Sequence, residues 1–360
     1  MTKRAIALLL LLIGVIFAGP VSADDKPTDL EILDAWLSSP HADSTSEAFR
    51  HWDTEGEIPG TCAVCHSATG VIDYLSTPAT TAGLIDHSVP VGTSVECAAC
   101  HNDNAKALDR VLFPNGQTVS VPDSSAICSV CHQGRSSMDQ VDARVVDLED
   151  DTVYPDIAFI NIHYAAATST QLGGTMRGGY QYEGRSYAGP FAHVEGLDTC
   201  VSCHDPHKTE VALESCTSCH AGVTEFRAIR TTQLDILMNG DPTAGIGVVI
   251  EDLHAALKVA IMVYAKQVTD NPIAYSEVAY PYFFRDLNTD GAADSIEAVF
   301  PNRYQSWTPR LLKAAYNYQF VAKDSGAFAH NPHYVIQLMI DSIENLSEVA
   351  EIDTTGFQRP

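Results

Sequence analysis

The sequence predicts a mainly α-helical protein with little or no β-sheet, in which an irregular first part precedes long C-terminal helices. Residues 24–225 are rich in Gly, Pro, Ser, Thr and Asp and contain few long apolar periodicities. After residue 225, apolar residues recur at helical spacing behind helix-capping signals. All ten cysteines lie in the first part, so any cysteine chemistry belongs there.

The ten cysteines fall in five copies of one motif, Cys-x-x-Cys-His. Two thiols spaced in this way can add to the two vinyl groups of one haem, and the next histidine can reach the iron. The sequence therefore predicts five covalently bound haems c. The residues that would hold them are Cys62, Cys65 and His66; Cys97, Cys100 and His101; Cys128, Cys131 and His132; Cys200, Cys203 and His204; and Cys216, Cys219 and His220.

Two other uses of the cysteines stay open at this stage. The last two motifs alone could form a zinc ribbon, because paired Cys-x-x-Cys units suit a tetrahedral thiolate site. Zinc, however, does not require a histidine after every second cysteine. Ten cysteines could also form five disulfides in an exported protein, but adjacent pairs repeated five times are a poor disulfide framework.

The N-terminus has the pattern of a Sec-type signal peptide at residues 1–23. Lys3-Arg4 precedes an apolar run over residues 5–18, and Val21-Ser22-Ala23 suits cleavage after Ala23. Haem is attached covalently outside the cytoplasm, so the motifs agree with export. We expect a periplasmic or extracellular, outer-surface location. Charged residues interrupt the apolar stretch over residues 245–263, so no membrane span is expected.

The formal net charge is -25, and haem propionates would add to it. Nucleic acid and anionic membranes are therefore unfavourable partners. A negative surface suits docking to basic redox partner proteins, such as other cytochromes or quinol-linked donors. A homo-oligomer is left open.

The chain divides into three predicted segments: the signal peptide at 1–23, a pentahaem-binding region at 24–225 and a C-terminal helical region at 226–360. The middle segment cannot build a core from its side chains alone, so the apolar haem faces should supply it. The last segment should contain three long helices. The first runs from Leu253 to Val268, the second begins at Thr308-Pro309 and the third begins at Asn331-Pro332.

A calcium-loop-like pattern lies at residues 286–297. Oxygen ligands fall at alternate positions, glycine allows a sharp turn, and a final glutamate can close the shell with both oxygens. The alternative is an acidic surface turn. The expected structural calcium site would use Asp286, Asn288, Asp290, Ala292, Asp294 and Glu297.

The fourteen histidines exceed the five in the motifs, so nine remain for five sixth coordination positions. No methionine stands out as a ligand, which favours bis-histidine haems of low potential. His207 is too close to His204 to bind the same iron, so it should serve a neighbouring haem. The predicted distal ligands are His41, His51, His163, His193, His207 and His330. His87, His254 and His333 are predicted not to be ligands.

This layout resembles that of pentahaem cytochrome c nitrite reductase and its multihaem relatives. Three motifs come first, a long interval follows to Cys200, two motifs come next, and long helices that carry His330-Asn331-Pro332 close the chain. In that family, the histidine of His-Asn-Pro and a histidine seven residues before the fourth motif bind haem irons. The resemblance thus implies His330 and His193 as ligands, and His207 matches the histidine between the last two motifs.

The sequence departs from that family at the first haem. Nitrite reductases of this type usually carry Cys-x-x-Cys-Lys there, which leaves an open distal face, whereas His66 stands here. Segments such as Phe191-Ala192-His193-Val194 look like those of multihaem cytochromes that respiring bacteria export to carry electrons toward insoluble or extracellular acceptors. This resemblance implies an electron carrier in periplasmic or extracellular respiration.

Two further functions remain as alternatives. One is a multihaem reductase acting on nitrite, hydroxylamine or a sulfur oxyanion at one haem with an open sixth position. The first haem would be the place for it, with Arg50, His51, His163 and Tyr164 as pocket residues. The other is a structural subunit of a cytochrome filament or outer-surface complex. The sequence favours the carrier, and no catalytic residue is assigned.

Overall fold

The computed structural model describes residues 26–163, 165–230 and 232–360. The predicted signal peptide lies outside these residues. Within them the protein is mainly helical, and its strands form small two-stranded sheets. The predicted fold class, mainly α with little β-sheet, is therefore confirmed. No helix of the described part is both long enough and apolar enough to span a membrane.

Short helices make up the first part of the chain, and several of them are a single turn. Ser, Thr and Asn caps begin many of these helices; for example, the hydroxyl of Thr28 accepts the backbone N–H of Glu31. The helices are α1 (Asp29–Leu37), α2 (Glu47–Arg50), α3 (Gly60–His66), α4 (Ala68–Ser76), α5 (Cys97–Cys100), α6 (Asp103–Lys106), α7 (Asp123–Cys131), α8 (Met138–Val145), α9 (Ala167–Leu172), α10 (Cys200–Cys203) and α11 (Glu214–Thr217).

Longer helices form the C-terminal part: α12 (Ile246–Thr269), α13 (Pro309–Ala322), the single turn α14 (Ala327–His330) and α15 (Pro332–Ser347). The strands pair in antiparallel hairpins. In the first part, β1 (Glu57–Ile58) pairs with β2 (Val89–Pro90), and β3 (Arg110–Leu112) pairs with β4 (Thr118–Ser120); between α12 and α13, β5 (Ile273–Tyr275) pairs with β6 (Phe283–Arg285).

All three predicted long helices are present. Thr308 caps α13 by accepting the Leu311 N–H at 3.1 Å, and Asn331 caps α15 by accepting the Tyr334 N–H at 3.2 Å. The first helix, α12, begins at Ile246, two turns before the predicted start at Leu253. The prediction was too short because it did not count the buried residues before Leu253 as part of the apolar face.

Two apolar clusters divide the interior. The larger joins α12, α13 and α15 with residues from the interval between the third and fourth motifs, including Val141 and Ile162. The smaller lies among the first three motifs and centres on buried side chains such as Ile58 and Phe113. The first part therefore has more side-chain core of its own than its composition led us to expect.

A buried arginine ties α13 to the segment that follows α8 and to the end of α15. The Arg310 side chain is 7% exposed and donates to Asp151 through Nε (2.7 Å) and Nη2 (3.2 Å). Its Nη1 donates to Glu348 (2.6 Å) and to the carbonyl of Asn345 (2.7 Å). Burial opposes the charged form, but the two carboxylates outweigh it and raise the pKa of Arg310. The helical part therefore depends on this cation.

We expect Arg310→Met to destabilise the protein by about 3 kcal/mol, because it leaves partly buried carboxylates without their cation. Arg50→Met is the matched control, since Arg50 pairs with Asp53 on an exposed surface and should cost less than about 1 kcal/mol. Urea unfolding followed by far-ultraviolet circular dichroism measures both free energies of unfolding. Equal effects of the two variants would contradict the assigned role of Arg310.

Candidate haem-binding sites

Each Cys-x-x-Cys-His motif forms one helical turn or ends a short helix, and we number these sites 1 to 5 in chain order. The spacing of three residues places both cysteines on one face of the turn. In sites 2 to 5 the histidine N–H donates to the carbonyl of the first cysteine, which fixes the histidine beside the thiols. These distances are 2.8 Å at His101, 2.9 Å at His132, 2.8 Å at His204 and 2.9 Å at His220.

Every motif histidine faces one histidine from elsewhere in the chain. The partners come from the segment before α2, from the interval between the third and fourth motifs, from the turn after site 4 and from the end of α14. The pairs and the distances between ring centres are His66–His163 (5.9 Å), His101–His207 (6.2 Å), His132–His41 (6.2 Å), His204–His330 (6.4 Å) and His220–His193 (6.0 Å).

The spacing of these pairs fits two ligands on opposite sides of one iron. A metal–imidazole bond is about 2 Å long and the ring centre lies about 1.2 Å behind the nitrogen, so two such rings have centres about 6 Å apart. The rings are too far apart to be in van der Waals contact through their faces. The residues present therefore fit a haem at each site: two thiols on one side and two imidazoles across a gap of the right width.

Five of the six predicted distal histidines belong to these pairs, and His51 does not. Its side chain is exposed, its Nδ1 lies 2.8 Å from a carboxylate oxygen of Glu47, and its ring packs on Trp52. The Trp52 ring in turn contacts His66, so His51 lies near site 1 without facing its histidine.

The three histidines predicted not to be ligands also lie outside the pairs. His254 stacks on Tyr318 and its Nε2–H donates to the Tyr318 carbonyl at 2.9 Å. His87 contacts Asp86 and Asp73, and His333 is exposed on α15. Tyr164, suggested above as a pocket residue, lies outside the described residues.

Three paired histidines have hydrogen bonds that fix their tautomer. A carbonyl or carboxylate oxygen can only accept here, so Nδ1 carries the proton and Nε2 keeps the lone pair that binds a metal. The Nδ1–H of His66 donates to the Ala48 carbonyl at 2.7 Å, and that of His204 to the Thr209 carbonyl at 3.2 Å. His330 donates to Asp324, at 2.8 Å and 2.9 Å from its two oxygens.

Burial also keeps ring nitrogens in the metal-binding form. Desolvation lowers the pKa of both His132 and His163 to about 4, with smaller effects from neighbouring cations or histidines. Both rings are therefore neutral at pH 7, as a metal ligand must be. His163 adopts a left-handed backbone (φ 72°), which is uncommon outside glycine and costs free energy that the surrounding packing must balance.

Contacts between thiols give the spatial order of the sites. Cys65 of site 1 hydrogen-bonds Cys131 of site 3, and Cys128 of site 3 hydrogen-bonds Cys200 of site 4. Cys65 and burial raise the pKa of Cys131, and the Cys100 thiol adds to this rise, which indicates that site 2 is near site 3. Site 5 lies beside site 4, because burial and then the Cys203 thiol raise the pKa of Cys216.

The order that follows is 1–3–4–5, with site 2 branching from site 3. From the sequence alone, only sites 4 and 5 are expected to be neighbours, because few residues separate Cys200 from Cys216. The contacts of sites 1, 3 and 4 join residues distant in sequence, which no motif reveals. Asp324 was also missed, because a single aspartate in a turn carries no signal until its contact with His330 is seen.

The two alternative uses of the cysteines find no support in the geometry. All ten cysteines are described, and no disulfide joins any two of them. In the described residues, no three or more His, Cys, Asp or Glu side chains are grouped so as to hold a metal ion. The thiols of sites 4 and 5 therefore do not converge as those of a zinc ribbon would.

The residues of the predicted calcium loop form one turn after β6. Asp286 and Glu297, at its two ends, are buried. The other residues, Asn288, Asp290, Ala292 and Asp294, are exposed and their side chains do not converge on one point with the buried carboxylates.

The chain is similar to two polyhaem cytochromes of Geobacter sulfurreducens. It is 27% identical to the C-type polyheme cytochrome OmcB over 92% of its own length, in two strains, and 27% identical to OmcC over 87%. The chain spans about half the length of these relatives, 50% of OmcB and 46% of OmcC. No protein-family model and no solved structure matches it. Together with the attachment motifs, this similarity supports a multihaem c-type cytochrome.

Proposed function

We propose that this protein is an exported electron carrier that holds five haems c, each between two histidines. The observation that carries the proposal is the pairing of each motif histidine with one other histidine at 5.9–6.4 Å. Bound haem supplies a reversible one-electron couple whose potential depends on its axial ligands. At each site, two cysteines attach the haem through thioether bonds, and two histidines bind the iron from opposite faces.

The pairing favours a carrier over a reductase. A reductase needs one site where a substrate can approach the metal, so one motif histidine should face a cavity or a weak ligand. Here each of the five motif histidines faces an imidazole. Site 1, where the resemblance placed the catalytic haem, pairs His66 with His163.

The spatial order supports transfer along the protein. Thiol contacts link sites 1, 3 and 4, and each sulfur carries the edge of its own prosthetic group, so neighbouring groups would lie close together. Cys97 and Cys100 of site 2, Cys203 of site 4 and Cys219 of site 5 are exposed. Site 2, with both cysteines exposed, and site 5, which is exposed at one cysteine and ends the order, are therefore the proposed points for exchange with partner proteins.

The net charge of such a carrier indicates its partners, and its signal peptide indicates its location. A net charge of -25 favours basic redox partners, such as other cytochromes or quinol-linked donors, over nucleic acid. Residues 1–23 direct it out of the cytoplasm, to the periplasm or the cell exterior. The boundaries at 24–225 and 226–360 remain our division into a pentahaem-binding region and a helical region.

We expect five haems per chain and only low-spin ferric iron in the oxidised protein, because every iron has two strong-field imidazole ligands. The pyridine haemochrome assay gives the haem count, and quantitative electron paramagnetic resonance gives the spin states. A high-spin ferric signal that accounts for one haem would contradict the carrier and direct substrate trials to that site.

We expect His41→Ala to convert one of the five haems to a form that binds carbon monoxide or added imidazole, because site 3 loses its second ligand. His51→Ala is the matched control, from the same part of the chain but outside the pairs, and should leave all five haems low-spin. Optical titration with imidazole counts the open haems in each of the two variants. Five unchanged low-spin haems in His41→Ala, or a new open haem in His51→Ala, would refute this ligand set.

We expect Asp324→Asn to raise the potential of one haem, on the order of tens of millivolts. The Asp324 carboxylate makes His330 a stronger electron donor through Nδ1–H, which stabilises ferric iron, and asparagine removes that charge. Asp73→Asn is the control, because Asp73 contacts the unpaired His87. A potentiometric titration monitored by electron paramagnetic resonance resolves the potentials of the individual haems. Equal shifts in potential in both variants would argue against an effect through the axial histidine.

A further inference from the structure

The loop at residues 286–297 has the backbone of a cation-binding turn. Asp286 Oδ2 accepts the Gly291 N–H at 2.9 Å, which closes the turn. Further along the loop, the side-chain oxygen of Asn288 accepts the Asp290 N–H at 2.9 Å. The side-chain oxygen of Asp290 accepts the Ala292 N–H, also at 2.9 Å. These bonds shape the loop, but an acidic surface turn could contain them as well.

The side chain of Glu297 gives separate evidence for a bound cation. Its side chain is buried, with the residue 2% exposed. One carboxylate oxygen, Oε1, accepts the Leu287 N–H at 2.6 Å and the Asn288 N–H at 3.3 Å, so the carboxylate lies against the start of the loop. The other oxygen, Oε2, is buried and has no hydrogen-bond partner. Such an oxygen is costly unless something binds it.

The carboxylates near Glu297 Oε2 make the loop strongly negative, which favours a cation as the group that binds this oxygen. Asp286 is 5% exposed and sits at the opposite end of the loop, so two carboxylates are buried in one turn. Asp290 and Asp294 add two more at the surface. No basic residue donates to Glu297 or Asp286 in the described contacts. Both oxygens of Asp286 accept backbone N–H groups, from Thr289 at 2.6 Å and from Gly291 at 2.9 Å, whereas Glu297 Oε2 has no donor. A hard divalent cation that takes oxygen ligands would satisfy this remaining oxygen.

Gly291 links the loop to the long helices. Its backbone is left-handed (φ 81°), which the turn requires, and a Cβ there would lie 2.5 Å from the Met262 methyl group on α12. Fixing the loop therefore also fixes its packing against α12. A ligand that binds only the folded loop would raise the stability of the helical part.

We propose that residues 286–297 bind one Ca²⁺, with Glu297 and Asp286 as the buried anchors. The exposed side chains of Asn288, Asp290 and Asp294 complete the shell by turning inward, together with the Ala292 carbonyl. Calcium accepts such a flexible set of six to eight oxygens, whereas Mg²⁺ demands a near-ideal octahedron and gives up its waters reluctantly. The site stabilises structure and takes no part in the electron transfer proposed above.

The test is calorimetric titration of the chelator-treated haem-loaded protein with Ca²⁺, with Mg²⁺ as a second titrant. We expect one Ca²⁺ per chain with a Kd below about 1 mM, and weaker binding of Mg²⁺. The midpoint of thermal unfolding should rise as Ca²⁺ is added. Failure to bind Ca²⁺, or binding of Mg²⁺ with equal affinity, would overturn the proposal.

Variants separate this loop from haem propionates, which can also bind cations. Glu297→Gln should weaken Ca²⁺ binding at least about tenfold, because it removes the charge of the closing ligand. Asp290→Asn tests the same site at an exposed position, where misfolding is not an issue. Glu277→Gln, at a nearby exposed residue outside the loop, should bind as the parent does. Unchanged affinity in both loop variants would assign the cation elsewhere and refute the site.

Discussion

The facing histidine pairs are the constraint on which the first part of this protein depends. To hold a haem as proposed, each pair must keep two rings about 6 Å apart while two thiols lie beside the gap. A side-chain core cannot be continuous through such gaps, and the chain between them is divided into short hairpins and helices of four to nine residues. The short motif helices and the irregular connections accord with this requirement.

The long helices provide the rigid part that this arrangement needs. Asn331 caps α15 and also donates to the Gly189 carbonyl at 3.0 Å, so the end of α14, which carries His330, is fixed to the segment before site 4. Asp324, buried at the start of the same turn, holds the His330 ring. A single polar junction thus connects the helical core to His330, the proposed second ligand of site 4.

The geometry favours the proposed carrier over the reductases whose layout the sequence resembles. A catalytic site would need one motif histidine without a strong partner, and none of the five is in that position. The left-handed backbone of His163 shows that the fold accepts strain to bring an imidazole to His66 at site 1.

The sequence by itself determined the chemistry of this protein. The five motifs predict where haem attaches, because that reaction needs neighbouring thiols and a histidine. Thr308-Pro309 and Asn331-Pro332 specify where long helices begin, because capping is local. It did not separate His51 from His41, since a histidine has no local signal for facing another ring. The pairing of rings, the order 1–3–4–5 with site 2 beside site 3, and the role of Asp324 were decided by the tertiary structure alone, because each depends on contacts between residues that only packing brings together.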